Sequence, residues 1–146
     1  MAHKQSNKTF HLRVITPTET KIDRDVEMVI MRCLDGDMGI MPGHAPYLCV
    51  LDIGILRVLY KDRERRLAVF GGIAEVQPEG LTILTDEAHW PADIDKNRAE
   101  EAREHLERVI QERTDDRELV RDQILLRRAL VKIEVGSLPL ESEEEE

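Results

Sequence analysis

Leu56–Phe70 (LRVLYKDRERRLAVF) contains two apolar runs that are separated by a strongly charged stretch. In the first run the apolar residues Leu56, Val58 and Tyr60 occupy every second position. This alternation is typical of a β-strand with one buried face, and the polar stretch Lys61–Arg65 then supplies a turn. The segment therefore predicts a β-hairpin.

The same rhythm extends through the first 85 residues. Phe10, Leu12 and Val14 alternate with polar residues, and a following strand is expected to carry Val26, Met28 and Ile30 on one face and Glu27 and Val29 on the other. Gly, Pro and Asp interrupt the pattern at short intervals. Roughly eight or more short strands fit before Asp86, including Leu48–Ile53, Ile73–Val76 and Leu81–Ile83. This predicts an antiparallel β sandwich or barrel, in which few strand edges stay open.

The pattern changes at Asp86, and no glycine occurs between Gly80 and Gly136. Asp93 or Asp95 is suited to cap a helix, because a carboxylate there accepts a hydrogen bond from the first helical turn. The helix that follows carries its apolar residues at spacings of three and four, namely Ala99, Ala102, Leu106 and Val109.

Thr114–Asp116 interrupts this helix, and Asp115 with Glu118 predicts a capping box for a second one. Gly136 and Pro139 are expected to end it. Its apolar residues are Leu119, Ile124, Leu126, Leu130 and Ile133. Two helices joined by a short turn should form an antiparallel hairpin. The expected class is α+β, with a β-sandwich domain at 1–88, a helical hairpin at 89–136 and a disordered acidic tail at 137–146.

Composition narrows the function classes. The 146 residues carry a net charge of -9, and the sequence pI is about 5.1, which argues against an electrostatic footprint for nucleic acid. No run of about 18 apolar residues is long enough to span a bilayer, and residues 1–9 lack the apolar stretch of a signal peptide. We therefore expect a cytosolic protein that is not inserted into a membrane.

Several short motifs resemble ligand sites without completing them. Asp35–Gly39 begins like a calcium loop, but Ile40 and Pro46 stand where that loop needs Gly and Glu, so a tight turn is expected. Gly71-Gly72 lacks the lysine and the following helix of a phosphate loop, which favours a bulge or a close backbone approach. Cys33 and Cys49 fit neither a redox pair nor a zinc site and predict two buried thiols. No metal site is expected.

His44 lies in a loop, Met41–Pro46 (MPGHAP), that contains two prolines. A histidine can act as a base, but no nucleophile motif accompanies this one. We therefore expect a stiff loop that presents a binding edge, and no catalytic residue. A small enzyme that uses His44 remains as a competing hypothesis.

The order of these segments resembles the ε subunit of F-type ATP synthases, called δ in mitochondria. The similarity covers nearly the whole chain and is carried by four stretches: Val26–Ile30, Asp35–Pro46 (DGDMGIMPGHAP), Phe70–Val76 (FGGIAEV) and Leu81–Leu84 (LTIL). One of these stretches alone has little weight. All four in this order identify the chain as a member of that family.

The resemblance implies a sandwich of about ten strands that contacts the γ subunit and the c-ring of the rotor. It implies a non-catalytic central-stalk subunit at the cytoplasmic face of the cell membrane, bound peripherally. Candidate contacts to γ and the c-ring are Met41, Pro42, His44 and Pro46. The helical hairpin of this family can extend into the catalytic head of α and β subunits and oppose ATP hydrolysis, and the matching basic residues are Arg127, Arg128 and Lys132.

Some bacterial members bind ATP at an Ile/Leu-Asp-x-x-Arg-Ala motif, which stands here as Ile94–Ala99 (IDKNRA). By this resemblance Ile94, Asp95, Arg98, Ala99 and Arg128 are the candidate nucleotide ligands. ATP is then a regulatory ligand, and no cofactor is required. His105 and Lys132 occupy positions where tight binders carry arginine, so the affinity is expected to be weak.

Besides the small enzyme that uses His44, two function classes remain open. The first is a stalk subunit whose hairpin inhibits ATP hydrolysis like a brake. Binding of ATP to the hairpin relieves this inhibition. The second is a free-standing nucleotide-binding sensor, in which the β domain only supports the hairpin. A stable complex with γ separates the two classes.

Overall fold

The computed structural model describes residues 8–139, which fall into two compact units, one up to Ala88 and one from His89. The described part of the first unit is built from β-strands. That of the second is built from two α-helices after a short 3-10 turn at Pro91–Asp93. The predicted α+β class is therefore confirmed.

Eight strands occur in residues 8–139, against the expected ten or so. They are β1 (Phe10–Ile15), β2 (Thr20–Val26), β3 (Met28–Cys33), β4 (Gly36–Ile40), β5 (Tyr47–Tyr60), β6 (Arg63–Gln77), β7 (Gly80–Leu84) and β8 (Ala88–His89). The difference arises because β5 and β6 run without a break for 14 and 15 residues. Each spans two segments that the sequence pattern separates.

The first seven strands follow the order β2-β1-β7-β6-β5-β3-β4. Neighbours are antiparallel except β1 and β7, which pair in parallel from His11 with Gly80 to Ile15 with Leu84. The expectation of an entirely antiparallel sheet was wrong at this pair. The backbone N–H of Glu27 donates to the carbonyl of Leu59 at 2.9 Å, which brings the β2–β3 junction to the distant end of β5.

The core of this unit is aliphatic. Its fully buried side chains include Leu12, Val14, Leu67, Leu81 and Ile83. Burial of such side chains is the main stabilising contribution, at roughly 1.5–3 kcal/mol each.

The predicted face of the segment after Val26 was wrong. The chain breaks at Glu27 between β2 and β3, and Val29 and Met31 are buried in place of Met28 and Ile30. A break of this kind reverses every later side chain, because the period of a strand is two.

Close turns join the strands as the pattern predicts. Lys61 and Asp62 both have positive φ, 49° and 60°, so a two-residue turn joins β5 to β6. Gly72 has a φ of 122°, and a β-carbon there would lie 2.1 Å from the carbonyl oxygen of Leu84. This is the close backbone approach expected of Gly71-Gly72.

Both cysteines are buried free thiols, as predicted. Cys33 lies at the end of β3 and Cys49 near the start of β5, and their sulfur atoms are 3.0 Å apart. Burial, followed by the hydrogen bond to Cys49, raises the pKa of Cys33 to about 12.

The helices are α1 (Lys96–Glu112) and α2 (Asp116–Gly136). Asp95 caps α1 by accepting from the N–H of Arg98 at 3.1 Å, and Asp115 caps α2 by accepting from Arg117 at 2.9 Å. The other half of the predicted capping box does not form. Glu118 accepts instead from Nη1 of Arg113, at 2.6 Å.

Arg113 lies in the turn between the helices and also donates through Nε to Asp122 at 2.9 Å. Asp122 is buried on α2, and its hydrogen bond raises the pKa of Arg113. This guanidinium therefore fixes the turn to the second helix.

The apolar pattern of α2 is only partly buried. Ile124 and Leu130, two of the apolar residues expected in this helix, are 45% and 44% exposed, whereas Ala129 and Val135 are buried. No helix in residues 8–139 is both long and apolar enough to cross a membrane.

Candidate nucleotide site in the helical hairpin

The entry to α1 is held by local hydrogen bonds. Pro91 opens the 3-10 turn, and the N–H of Ile94 donates to its carbonyl at 3.3 Å. Oδ1 of Asp95 then caps the helix. Consequently the backbone at Ile94, Asp95 and Arg98 has a defined path into α1.

A cavity of about 600 Å³ lies beside these residues, within the unit that begins at His89. Its apolar lining comes from the start of α1 and from the facing surfaces of both helices, namely Ile94, Ala99, Ala102, Leu106, Leu125 and Ala129. Three of these six side chains, Ile94, Ala99 and Ala102, are isoleucine or alanine on α1 or just before it. The volume is in the range usual for small-molecule sites.

The polar lining is mainly basic. It consists of His89, Asp95, Arg98, His105, Arg128 and Lys132. Three side chains carry a fixed positive charge and one carries a negative charge, so the lining favours an anion. An apolar wall next to clustered guanidinium groups suits a ligand with a flat apolar part and a phosphate chain.

All five residues proposed as nucleotide ligands line this one cavity. Arg128 reaches it from α2, about 30 positions after Arg98 in the sequence, because the antiparallel helices bring these positions together. His105 and Lys132 also line it. The structure thus places the two departures from the family motif inside the candidate site.

The three basic residues proposed to contact the catalytic head do not share a surface. Arg128 and Lys132 line the cavity and are half-buried, whereas Arg127 is exposed and does not line it. Arg127 stands in one helical row with Val120 and Ile124, which are 56% and 45% exposed. The outer row of α2 thus combines apolar and basic side chains.

The Met41–Pro46 loop is a compact turn on the β unit. The N–H of His44 donates to the carbonyl of Met41 at 3.2 Å, and Gly43 has a φ of 81°. Nδ1 of His44 lies 2.6 Å from the carbonyl oxygen of Ala45, to which it donates. Met41 is 58% exposed, Pro46 is exposed, and Pro42 and His44 are half-buried.

Sequence reasoning missed an exposed apolar row on the sheet. Val50, Ile73 and Leu84 are partners in register on β5, β6 and β7, and each is about half exposed. Leu48, two residues before Val50, is 66% exposed. The signal was present in Leu48–Ile53 (LCVLDI), where apolar residues occupy both faces of the strand and only one face can enter the core.

Within residues 8–139 no group of three His, Cys, Asp or Glu side chains is arranged to hold a metal ion.

A family model described as the β-sandwich domain of the ATP synthase delta/epsilon chain matches residues 9–91. The ATP synthase epsilon chain of Bacillus licheniformis is 37% identical over 129 residues, which cover 88% of this chain and 98% of that relative. The epsilon chain of Bacillus velezensis is 40% identical over 130 residues, with the same coverage.

Among solved structures, a chain in the Euglena gracilis mitochondrial ATP synthase (OSCP/F1/c-ring) has the same fold, with a TM-score of 0.77. It is 24% identical, and the match covers 88% of this chain and 81% of that one. The family model and the two epsilon chains together define the class, a small subunit of an ATP synthase. The chain belongs to the ATP synthase delta/epsilon family, and its curated relatives are epsilon chains.

Proposed function

We propose that this chain is a non-catalytic central-stalk subunit whose helical hairpin brakes ATP hydrolysis and is held in its compact form by ATP. The observation that carries the proposal is the single cavity that gathers Ile94, Asp95, Arg98, Ala99 and Arg128. The stalk role rests on family membership. The regulatory role rests on the binding of ATP in this cavity.

The β unit supplies the contacts to the rotor. Its exposed row of Val50, Ile73 and Leu84 is suited to bury apolar surface against the γ subunit, because a protein seldom leaves such a row in water without a partner. The Met41–Pro46 loop adds a stiff edge with an exposed methionine for γ or the c-ring. The subunit is then peripheral, at the cytoplasmic face of the membrane, and couples the rotor to ATP synthesis.

The inhibition of ATP hydrolysis follows because the same basic residues of α2 have a different partner in each state of the hairpin. In the compact hairpin Arg128 and Lys132 line the cavity, where the phosphates of ATP hold them. In an extended hairpin the same cations are available to acidic segments of the catalytic head, together with Arg127. One set of side chains cannot serve both states at once. ATP therefore shifts the population toward the compact hairpin and releases the brake.

Calorimetric titration of the full chain with ATP and magnesium tests the nucleotide role. Saturable binding is expected, and Arg98→Ala and Arg128→Ala should each weaken it by at least about tenfold, since each removes a charged hydrogen-bond donor. Arg127→Ala is the matched control, because Arg127 is the neighbouring cation outside the cavity. Absence of binding at millimolar ATP would refute the ATP-gated brake.

Copurification with the γ subunit tests the stalk role and separates it from a free-standing sensor. Ile73→Asp places a charge at the centre of the apolar row and should abolish the complex. Thr20→Asp, on the exposed start of β2, should leave it intact. A chain that binds ATP but never binds γ supports the free-standing sensor.

The inhibitory role of the hairpin is tested by measuring the rate of ATP hydrolysis by the assembled complex. A chain that stops after Arg113 lacks α2, and its complex should hydrolyse ATP faster than the complex with the full chain. Equal rates would contradict an inhibitory role of the hairpin.

A further inference from the structure

We infer that the hairpin cavity is a proton-linked anion site, in which His105 strengthens ATP binding as the pH falls, assisted by His89. The inference rests on the proposed nucleotide role of this cavity and adds a second input to it. Its basis is that two imidazole side chains line a cavity whose other charged groups are arginine, lysine and aspartate.

His105 is well placed to act on a bound phosphate chain. It lies on α1 seven residues after Arg98, which is two helical turns, so both side chains are on the same face and line the same cavity. Two turns correspond to about 10 Å along the axis. The side chain of His105 is exposed, so it exchanges protons directly with solvent.

The charges that line the cavity with His105 come from both helices and from Asp95 before α1. On α1 itself, Glu101 and Arg108 lie one turn from His105. Arg98 on α1 and Arg128 and Lys132 on α2 are cations, and Asp95 is the one carboxylate in the lining. These four groups leave a net charge of +2. Protonation of His105 and His89 raises this charge to +4.

The sign of the effect follows from linkage. A bound polyphosphate supplies negative charge, which favours the charged imidazole over the neutral one. Binding therefore takes up protons, and the affinity for ATP rises as the pH falls. One exposed ion pair corresponds to a gain of up to about fivefold in affinity, so two histidines give roughly five- to tenfold between about pH 8 and about pH 6.

The site then responds to two inputs. A fall in pH at constant ATP moves the hairpin toward the compact state, as a rise in ATP does. A fixed arginine at position 105 would bind ATP more tightly and would lose this pH response.

The test is ATP titration of the full chain at about pH 6 and about pH 8, at constant ionic strength, with His105→Gln and His105→Arg as matched variants. ATP itself takes up a proton in this range, but equally for every variant, so the ratio of the two affinities is compared between proteins. We expect the wild-type ratio to fall about threefold or more in both variants. His105→Arg should also bind more tightly than wild type at the higher pH.

Equal ratios in the wild type and His105→Gln would overturn the inference while leaving the nucleotide site intact, provided that Arg128→Ala still weakens binding by at least about tenfold. Absence of saturable binding at both pH values would overturn the inference together with the nucleotide role. Circular dichroism of each variant at both pH values verifies that the helices are equally formed.

Discussion

A β-carbon on Gly136 would lie 2.9 Å from Cγ2 of Ile94, so the last residue of α2 leaves room for the first residue of the nucleotide motif. The sequence pattern predicts Gly136 as a helix terminator. In the structure it is helical, and its role is to provide space.

Gly136→Ala should therefore displace Ile94. In an open helix this substitution is stabilising by roughly 0.5–1 kcal/mol, and here we expect the crowding to cancel or reverse that gain. The midpoint of thermal unfolding, followed by the helical circular dichroism signal, measures the net effect. In an Ile94→Ala background the contact is absent, so the same change should raise the midpoint. A rise of equal size in both backgrounds would contradict the proposed contact.

Asp122→Asn should loosen the turn between the helices. Asp122 is buried and accepts from Arg113, and loss of a charged hydrogen bond at such a site costs about 1.5–3 kcal/mol. Chemical denaturation followed by the helical signal gives the free energy of unfolding. Glu118→Gln is the control, because the Glu118 side chain is 54% exposed and its pair with Arg113 should contribute less than about 1 kcal/mol.

His11 predicts a pH-dependent contribution to stability in the β unit. Its ring nitrogens bond Asp25 at 2.8 Å and Asp23 at 2.5 Å, and these bonds, that to Asp25 first, raise the pKa of His11 above 6.5. The contribution is complete below pH 6.5 and is lost as the pH rises through the higher folded-state pKa. Because the pairs are exposed, it should be less than about 1 kcal/mol.

Thermal unfolding at about pH 6 and about pH 9 measures this contribution. His11→Gln should lower the midpoint at the lower pH and leave it nearly unchanged at the higher one. The double variant Asp23→Asn/Asp25→Asn should remove the same pH dependence. An unchanged pH dependence in either protein would show that His11 does not cause it.

Gly72→Ala should prevent normal folding of the β unit. The added carbon would lie 2.1 Å from the carbonyl oxygen of Leu84, at a φ of 122°, so a cost of at least about 3 kcal/mol is expected. Gly43→Ala is the matched control. It also has positive φ, 81°, but no atom lies within 4 Å, so its cost should be roughly 1–2 kcal/mol. Similar unfolding midpoints for the two variants would contradict this difference.

Periodicity was sufficient to predict the strand unit, the two helices and the turns that join them. It failed where tertiary pairing determines the outcome. The parallel partner of β1 is β7, far along the chain, and no local pattern contains this pairing. The break at Glu27 shifted the face of β3, because hydrogen bonding to Leu59 fixes that junction from a distant strand.

In the candidate site, too, the sequence predicts the local motif but not the contacts that depend on tertiary pairing. The motif at Ile94–Ala99 was visible in the sequence, whereas the depth of the cavity depends on Leu106, Leu125 and Ala129, which the helix pairing brings together. Arg127 and Arg128 are adjacent in sequence and were assigned one role. The helical rotation of about 100° per residue separates them, so that only Arg128 lines the cavity.

Because β1 pairs with the distant strand β7, this part of the sheet can form only late in the synthesis of the chain. The two strands are separated by roughly 70 residues, whereas β5 and β6 meet across a two-residue turn. During synthesis β1 and β2 emerge first, and one edge of β1 has no partner until Gly80–Leu84 has left the ribosome. Until then the nascent chain presents an open strand edge, which is when self-association would compete with folding.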